Sequence, residues 1–339
     1  MKPYDITGYV NIRGILASGY PFIFCVGGRG VGKTYTALKT CTEDRRTFML
    51  MRRTQSQCDL ISKPEFSVFK PLNQDLSWDI RPERISKYNS SFVRYDTGEP
   101  YIVGYSCALS TLSNMRGFDA SNIEALIYDE FIPEPHERLL KNEAPALFNA
   151  YETMNRNREL KGKPPIQLLC LANANDITNP VFEYLNLISV ADKMQKRGSE
   201  VWTDDKRGIM LVMLSRSPIS KAKSNTALYK LTQGTDFSNM SLNNDFNVSR
   251  TNIKPRPLQE YIPVCRIGEL CIYKHKSNRR LYASTHSSGV FKNNYLPENV
   301  QILHYQSLYS SHYDYYVSGK IDFESVLAEK LFCKYWDFD

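Results

Sequence analysis

The chain has 339 residues, of which 42% are hydrophobic, which is enough for two domains or slightly more with apolar cores. No apolar run approaches the roughly 18 to 20 residues of a membrane-spanning helix, which excludes an integral membrane protein. The net charge of +7 is concentrated in residues 193–230, where nine basic side chains stand against three acidic ones. This stretch predicts either a contact with a phosphate polyanion or a solvated surface.

The first part of the chain predicts alternating strands and helices. FIFCV, at residues 22–26, is a short apolar strand, and the segment that follows Lys33 is predicted to be helical. The other predicted elements are a strand at 47–53, a helix at 55–70, a hairpin at 92–108, a strand at 123–131, a helix at 144–160 and a strand at 166–174. Unbroken apolar strands are typical of buried parallel sheets, so we expect an α/β fold with a mostly parallel sheet.

The pattern changes near residue 196. Residues 196–250 combine much of the basic stretch with a polar segment, and we expect them to form a linker. Residues 251–339 contain strand-like segments and a helix-like one near the end, which predicts a smaller α+β domain. The expected division is therefore a first domain at 1–195, the basic linker and a C-terminal domain.

The eight cysteines include no pair at CxxC spacing, so a structural zinc site is not expected. They are typical of reduced, cytosolic thiols. The N-terminus lacks a basic patch followed by an apolar region, so nothing in it predicts secretion.

The segment GGRGVGKT, at residues 27–34, matches the phosphate-binding pattern GxxxxGK[ST] between a strand and a helix. Its glycines let backbone N–H groups converge on phosphate oxygens, Lys33 would reach the β and γ phosphates, and the Thr34 hydroxyl would bind Mg²⁺. The residues predicted to bind the nucleotide are Gly27, Gly28, Arg29, Gly30, Val31, Gly32, Lys33 and Thr34.

Polar residues end two of the later strands. Asp129 is predicted to hold Mg²⁺ with Thr34, and Glu130 is predicted to orient the attacking water, which indicates hydrolysis rather than transfer to an acceptor. Asn173 is either a turn former or a sensor that contacts the γ phosphate or the water. NAND, at 173–176, lacks the Lys of the guanine-reading motif of GTPases, so a GTPase is not expected.

In this order and spacing, the motifs resemble those of the DNA packaging (encapsidation) ATPases of small podophages, relatives of the large terminase ATPase subunits. The segments that carry the resemblance are GGRGVGKT, MLMRR, SNMRGFD, LIYDEF, NRNRE and LLCLANANDITNPVFEYLNL. They span the first 190 residues, and the resemblance extends faintly to SLNNDF. It implies a P-loop NTPase of the additional-strand (ASCE) type that hydrolyses ATP with Mg²⁺.

The resemblance also implies partners. It predicts a ring of subunits, with five the expected number, that docks on the portal or connector of a viral procapsid in the host cytoplasm and drives double-stranded DNA inward. Whether a structural packaging RNA takes part stays open. In this setting the basic stretch is predicted to contact DNA or a partner.

In a ring, an arginine of one subunit can reach the γ phosphate of its neighbour and stabilise transition-state charge. Arg156 and Arg158 end the helix before the Asn173 strand, and the resemblance favours Arg156 as this catalytic arginine finger. Arg29 and Arg116 are the next candidates, and an ordinary surface salt bridge is the alternative interpretation.

The resemblance further implies an RNase H-like C-terminal domain, which in large terminases is a nuclease with clustered carboxylates for two metals. Its predicted strands here offer only Glu269, so nuclease activity is not expected. The basic segment at 274–280, with Tyr273 and Tyr282 beside it, suits DNA or a structural RNA, or is a plain hairpin turn.

Two other functions remain open from the sequence. One is an ATP-dependent helicase or remodeller, which would separate strands instead of pumping duplex. The other is a nucleotide-switched assembly scaffold, in which turnover is incidental.

Overall fold

The structure, a computed structural model, describes residues 1–115, 120–134, 137–235, 238, 241–242 and 252–338. The chain divides into two compact units. The first comprises Met1–Leu185 and Lys193–Asn247, and the second comprises Asn186–Asp192 and Val248–Asp339.

The first unit is built on a nine-stranded sheet with the order β3-β4-β5-β2-β6-β7-β1-β9-β8. Its strands are β1 (Phe22–Gly27), β2 (Phe48–Arg52), β3 (Ile80–Arg84), β4 (Ser90–Arg94), β5 (Tyr101–Ala108), β6 (Ala125–Asp129), β7 (Gln167–Ala172), β8 (Val201–Asp204) and β9 (Ile209–Leu214). Strands β5, β2, β6, β7, β1 and β9 are parallel, and β3, β4 and β8 are antiparallel to their neighbours. The predicted α/β fold with a mostly parallel sheet is confirmed.

Strand β7 lies between β1, which leads into the glycine-rich loop, and β6, which ends at Asp129. This interposed strand is the one expected of the additional-strand class. All of β6 is buried, as are all residues of β1 and β7 except the first of each. Burial on both faces is what their unbroken apolar sequences predicted.

The described helices between residues 1 and 235 are α1 (Ile12–Leu16), α2 (Lys33–Glu43), α3 (Gln55–Ile61), α4 (Lys70–Leu76), α5 (Glu143–Asn155), α6 (Pro180–Tyr184), α7 (Ile188–Arg197), α8 (Pro218–Lys223) and α9 (Ala227–Leu231). The single helix predicted at 55–70 is wrong, because α3 and α4 are separate helices with a 3-10 turn at Pro64–Phe66 between them. Proline disfavours the helical conformation of the residue before it, and Lys63 is accordingly extended.

The prediction of a linker at 196–250 is also wrong, because this region supplies two strands of the first sheet. Strand β9 pairs in parallel with β1 along its whole length, and all six of its residues are buried. Strand β8 is antiparallel to β9 at the sheet edge. The apolar run IMLVML, at 209–214, was the missed signal, and Lys206 and Arg207 lie in the turn between the two strands. The first domain therefore extends well beyond residue 195.

The second unit contains a five-stranded sheet with the order β13-β10-β11-β12-β14. Its elements are β10 (Tyr261–Ile267), β11 (Leu270–His275), β12 (Leu281–Ser284), β13 (Asn293–Tyr295), α10 (Asn299–Leu308), α11 (Ser311–Val317), β14 (Ile321–Phe323) and α12 (Val326–Lys334). The three central strands are antiparallel, and each edge strand is parallel to its neighbour. The predicted small α+β domain is confirmed.

None of the helices in the described part of the chain has the length and apolar character that crossing a bilayer requires.

Candidate nucleotide-hydrolysis site

The glycine-rich loop joins β1, which ends at Gly27, to α2, which begins at Lys33. Gly30 and Gly32 have φ angles of 77° and 85°, a left-handed conformation that side chains resist. The first N–H groups of α2 have no partners within the helix, so the loop and the helix N-terminus together form a site for phosphate groups.

The Lys33 side chain is buried against this loop. Its Nζ donates hydrogen bonds to the carbonyl oxygens of Gly27 at 2.8 Å and Gly28 at 2.9 Å, and to Asn173 Oδ1 at 3.0 Å. Burial lowers the pKa of Lys33 to about 8, although the negative charge of Asp129 acts to raise this pKa. Asn173 follows β7 directly, so the end of β7 meets the loop where a γ phosphate would lie.

Thr34, in the first turn of α2, lies next to Asp129 at the end of β6. Thr34 Oγ1 lies 3.0 Å from Asp129 Oδ1 and 2.9 Å from Oδ2, and Asp129 is the last residue of β6. Burial raises the pKa of Asp129, whereas Arg52 and the hydrogen bond from Thr34 act in the opposite direction. One hydroxyl and one carboxylate are the oxygen ligands with which Mg²⁺ is held next to phosphates. The donor set therefore fits the predicted ion.

Arg52 bridges the two carboxylates at the end of β6. Its NH2 group lies 2.8 Å from Asp129 Oδ2, and its NH1 group pairs with the Glu130 carboxylate. The Arg52 side chain is only 11% exposed, whereas that of Glu130 is 53% exposed. Glu130 has a φ of 59°, an uncommon conformation that turns the chain sharply after the strand. Sequence reasoning missed this role of Arg52, although a buried arginine at a strand end requires an anionic partner.

The predicted loop arginine, Arg29, pairs with Glu134 in the segment after β6. Its backbone is also held, because its N–H donates to Ser241 O at 3.1 Å and its carbonyl oxygen accepts from Lys223 Nζ at 2.7 Å. The polypeptide that follows β9 therefore contacts the phosphate-binding loop directly.

Most of the side chains described above line one cleft with a volume of about 260 Å³. The predicted side chains that line it are those of Arg29, Lys33, Thr34, Asp129, Glu130 and Asn173. Because the carboxyl ends of parallel strands meet at one edge of a sheet, residues about 140 positions apart in the chain come together here. The arrangement can bind a nucleoside triphosphate with Mg²⁺ and place a carboxylate beside its γ phosphate.

Arg156 does not lie at this cleft. Helix α5 connects two parallel strands and runs antiparallel to them, so its end lies at the opposite edge of the sheet from Asp129. Arg158 shows this position, because it donates to the carbonyl oxygens of Ile123 at 2.9 Å and Pro164 at 3.1 Å, just before β6 and β7 begin. Within its own chain Arg156 is therefore remote from the nucleotide site. Arg116, another finger candidate, lies outside the described residues.

Arg53, next to Arg52, forms a second buried ion pair. Its Nε and NH2 groups each lie 3.0 Å from an oxygen of Glu143, and the two side chains are 1% and 0% exposed. Tyr128 Oη donates to Glu143 Oε1 at 2.6 Å. Since Glu143 is the first residue of α5, this pair fixes the start of the helix to the ends of β2 and β6. Because Tyr128 immediately precedes Asp129, the same contacts also fix the end of the strand that carries the predicted carboxylates.

The structure distributes the basic stretch over several elements. Arg207 pairs with Asp204 at 2.7 Å across the β8–β9 turn, and Lys223 is bound to the phosphate-binding loop. Lys221 and Lys230 are exposed. Only some of these cations can therefore face a polyanion.

The basic segment at 274–280 comprises the last two residues of β11 and the turn that leads to β12. Arg280 pairs at 2.8 Å with the buried Asp322, and the cationic groups of two other side chains, Lys254 and Arg256, lie 3.6 Å from the same carboxylate. Tyr273 and Tyr282 are buried in an apolar cluster on the sheet, so their rings do not support the predicted contact of this segment with DNA or RNA, and the hairpin turn remains as the other interpretation.

Comparisons with known proteins agree with this geometry. The model of a family described as the Podovirus DNA encapsidation protein (Gp16) matches residues 4–316. The DNA packaging proteins of Bacillus phage PZA and Bacillus phage phi29 are each 27% identical over 248 residues, which is 71% of this chain and 67% of each relative.

A solved structure described as the bacteriophage Phi-29 viral genome packaging motor assembly has a similar fold. Its TM-score is 0.66 at 18% identity, over 96% of this chain and 99% of that chain. Since the family model covers most of the sequence, the chain belongs to the podovirus DNA encapsidation protein (Gp16) family.

Proposed function

We propose that this family member is an ATP-driven motor that translocates viral double-stranded DNA into a preformed procapsid. The observation that carries the proposal is the convergence of Lys33, Thr34, Asp129, Glu130 and Asn173 in one cleft of a DNA encapsidation protein. The relatives from phages PZA and phi29, which are DNA packaging proteins, support the same activity.

In this proposal the loop amides and Lys33 bind the phosphates of ATP, and Thr34 with Asp129 holds Mg²⁺. When held by Thr34 and Asp129, Mg²⁺ would supply positive charge that stabilises the negative charge developing on the phosphates. Asn173, whose side chain accepts a hydrogen bond from Lys33, would sense the γ phosphate.

Glu130 would orient the attacking water and accept its proton. Its carboxylate pairs with Arg52 in the structure, so it must turn away from Arg52 before it can act as the base. Arg52 contacts Asp129 as well, so one buried guanidinium group holds both carboxylates.

We further propose that the motor is a ring, expected to have five subunits, on the procapsid portal in the host cytoplasm. In such a ring Arg156, which is remote from the cleft of its own chain, would act at the site of a neighbouring subunit. The exposed cations of the basic stretch would contact DNA. A structural RNA is an additional partner that this proposal neither requires nor excludes.

The proposal is tested by ATP hydrolysis with and without duplex DNA, together with DNase protection of DNA mixed with procapsids. We expect duplex DNA to stimulate turnover and procapsids to protect the DNA only when ATP is hydrolysed. Hydrolysis indifferent to DNA would favour the assembly scaffold. Strand displacement without protection would favour the helicase or remodeller.

A further inference from the structure

Both backbone groups of Arg29 are bonded to the segment after β9, which we call the strap and define as residues 217–235, 238 and 241–242. The Arg29 N–H donates to Ser241 O at 3.1 Å, and the Arg29 carbonyl oxygen accepts from Lys223 Nζ at 2.7 Å. Lys223 is the last residue of α8, and its ammonium group also lies 5.4 Å from the Tyr229 ring centroid. A part of the chain far from the motif thus holds the centre of the phosphate-binding loop.

Two loop glycines make room for these contacts. A Cβ atom on Gly30 would lie 2.5 Å from Lys223 Nζ, and one on Gly28 would lie 2.4 Å from Ser241 O. Such distances are too short for real carbon atoms, so a side chain at Gly28 would displace the strap backbone, and one at Gly30 would displace the Lys223 ammonium group. The two glycines therefore permit the approach of the strap as well as the approach of phosphate.

The strap is itself anchored next to the loop. Ser217, before α8, is buried and donates to Gly8 O at 3.3 Å, and the Pro218 ring packs against Gly8. The same N-terminal segment holds the loop, because the Val10 N–H donates to Val31 O at 3.1 Å. Lys223 is therefore presented to Arg29 by a fixed support.

We propose that Lys223 is a positioning residue of the nucleotide site, which holds the Arg29 carbonyl and so fixes the peptide plane whose Gly30 N–H would face the phosphates. This inference rests on the proposed function, since it assigns Lys223 to the same ATP site. A loop that is already shaped for its ligand loses less entropy on binding, so the contact should appear as ATP affinity. Lys223 then acts through the loop rather than on DNA, unlike the exposed Lys221 two residues away.

The charge of Lys223 acts in the same direction. The Nζ atoms of Lys33 and Lys223 both donate to carbonyl oxygens of the phosphate-binding loop, those of Gly27 and Gly28 and that of Arg29, respectively. Two ammonium groups, one from each end of the first domain's sequence, therefore contribute positive potential at the loop, which favours an anionic ligand.

The test compares Lys223→Met, Lys223→Arg and the matched control Lys221→Met by calorimetric titration with Mg²⁺·ATP in the absence of DNA. Loss of a hydrogen bond from a charged donor predicts about tenfold weaker binding for Lys223→Met. Lys223→Arg, which keeps a charged donor, should bind within about threefold of the unchanged protein, and Lys221→Met should bind normally. In steady state, Lys223→Met should raise KM about tenfold and leave kcat within about twofold, as expected when uniform binding is lost.

Equal ATP affinity in Lys223→Met and Lys221→Met would overturn the inference. An ATP affinity of Lys223→Arg as low as that of Lys223→Met would also overturn it. If Lys223→Met does not fold, Lys223→Gln takes its place, with an expected loss of at least about threefold, and normal affinity then contradicts the role. Lys33→Ala separates this failure from that of the proposed function. If Lys33→Ala binds ATP normally, the nucleotide site itself is rejected. If Lys33→Ala loses ATP binding while Lys223→Met binds ATP normally, only the role of Lys223 is rejected.

Discussion

Replacement of Arg53 by methionine should strongly destabilise the first domain. The change removes the guanidinium group that makes two hydrogen bonds to Glu143 and leaves a side chain of similar length. The Glu143 carboxylate has no exposed surface. After the change it would keep the hydrogen bond from the Tyr128 hydroxyl but lose its bonds to the guanidinium group. A buried charge without its counter-ion is the situation in which breaking an ion pair has a large effect.

The expected loss is about 3–5 kcal/mol of unfolding free energy, the usual result of removing one partner of a buried pair. For a domain of this size each kcal/mol corresponds to roughly 2–4 °C, so the melting temperature should fall by about 6–20 °C. The double variant Arg53→Met/Glu143→Leu should recover at least half of this loss, because it leaves no buried charge.

Thermal unfolding followed by circular dichroism and calorimetry measures the effect. Arg13→Met is the matched control, because Arg13 is 54% exposed and pairs with Glu43 and Asp44 on the surface. An exposed pair contributes about 0–1 kcal/mol, so this control should shift the melting temperature by only a few degrees. If Arg53→Met is no more harmful than Arg13→Met, the buried ion pair does not have the role assigned to it.

Glu130→Gln should bind Mg²⁺·ATP normally and lower turnover by about 10²–10⁴, because the amide keeps the shape and loses the basicity, and near-normal hydrolysis would reject Glu130 as the base. Arg156→Ala should bind ATP, lose DNA-stimulated turnover and regain some of it when mixed with Lys33→Ala; mixed rings that form without rescue would place the finger elsewhere. Replacing Lys221 and Lys230 by glutamine should flatten the salt dependence of DNA affinity by about one unit of slope per lost phosphate contact, and an unchanged slope would identify these lysines as solvated surface. The purified protein should leave plasmid DNA intact in Mg²⁺ or Mn²⁺, and metal-dependent cleavage would refute this expectation.

The parts of the site that could be predicted are those that a short segment encodes. The loop from Gly27 to Thr34 and the Asp129–Glu130 pair follow apolar strands directly, and parallel pairing brings the ends of such strands to one edge. Their mutual placement therefore followed from local sequence and one topological rule.

The parts that could not be predicted depend on pairs distant in the chain. Arg52 and Arg53 are adjacent in sequence, yet one contacts the carboxylates after β6 and the other contacts the start of α5. Successive residues at the end of a strand face opposite sides of the sheet, so the two arginines meet different partners. The neighbouring sequence does not indicate which partner each arginine meets. Lys223 was similarly assigned with its basic neighbours to a polyanion surface, since its partner is a carbonyl group almost two hundred residues away.

The position of β9 beside β1 determines where this protein can be divided. A fragment that ends at residue 195 would lack β9 and leave one edge of the strand that carries the nucleotide loop unpaired. An exposed apolar edge with free N–H and C=O groups promotes association between molecules. An isolated ATPase domain should therefore include the chain at least through Leu214, and through the strap if it is to bind ATP with the affinity of the whole protein. Shorter pieces would be expected to aggregate during refolding, and their inactivity would say nothing about the predicted catalytic residues that they contain.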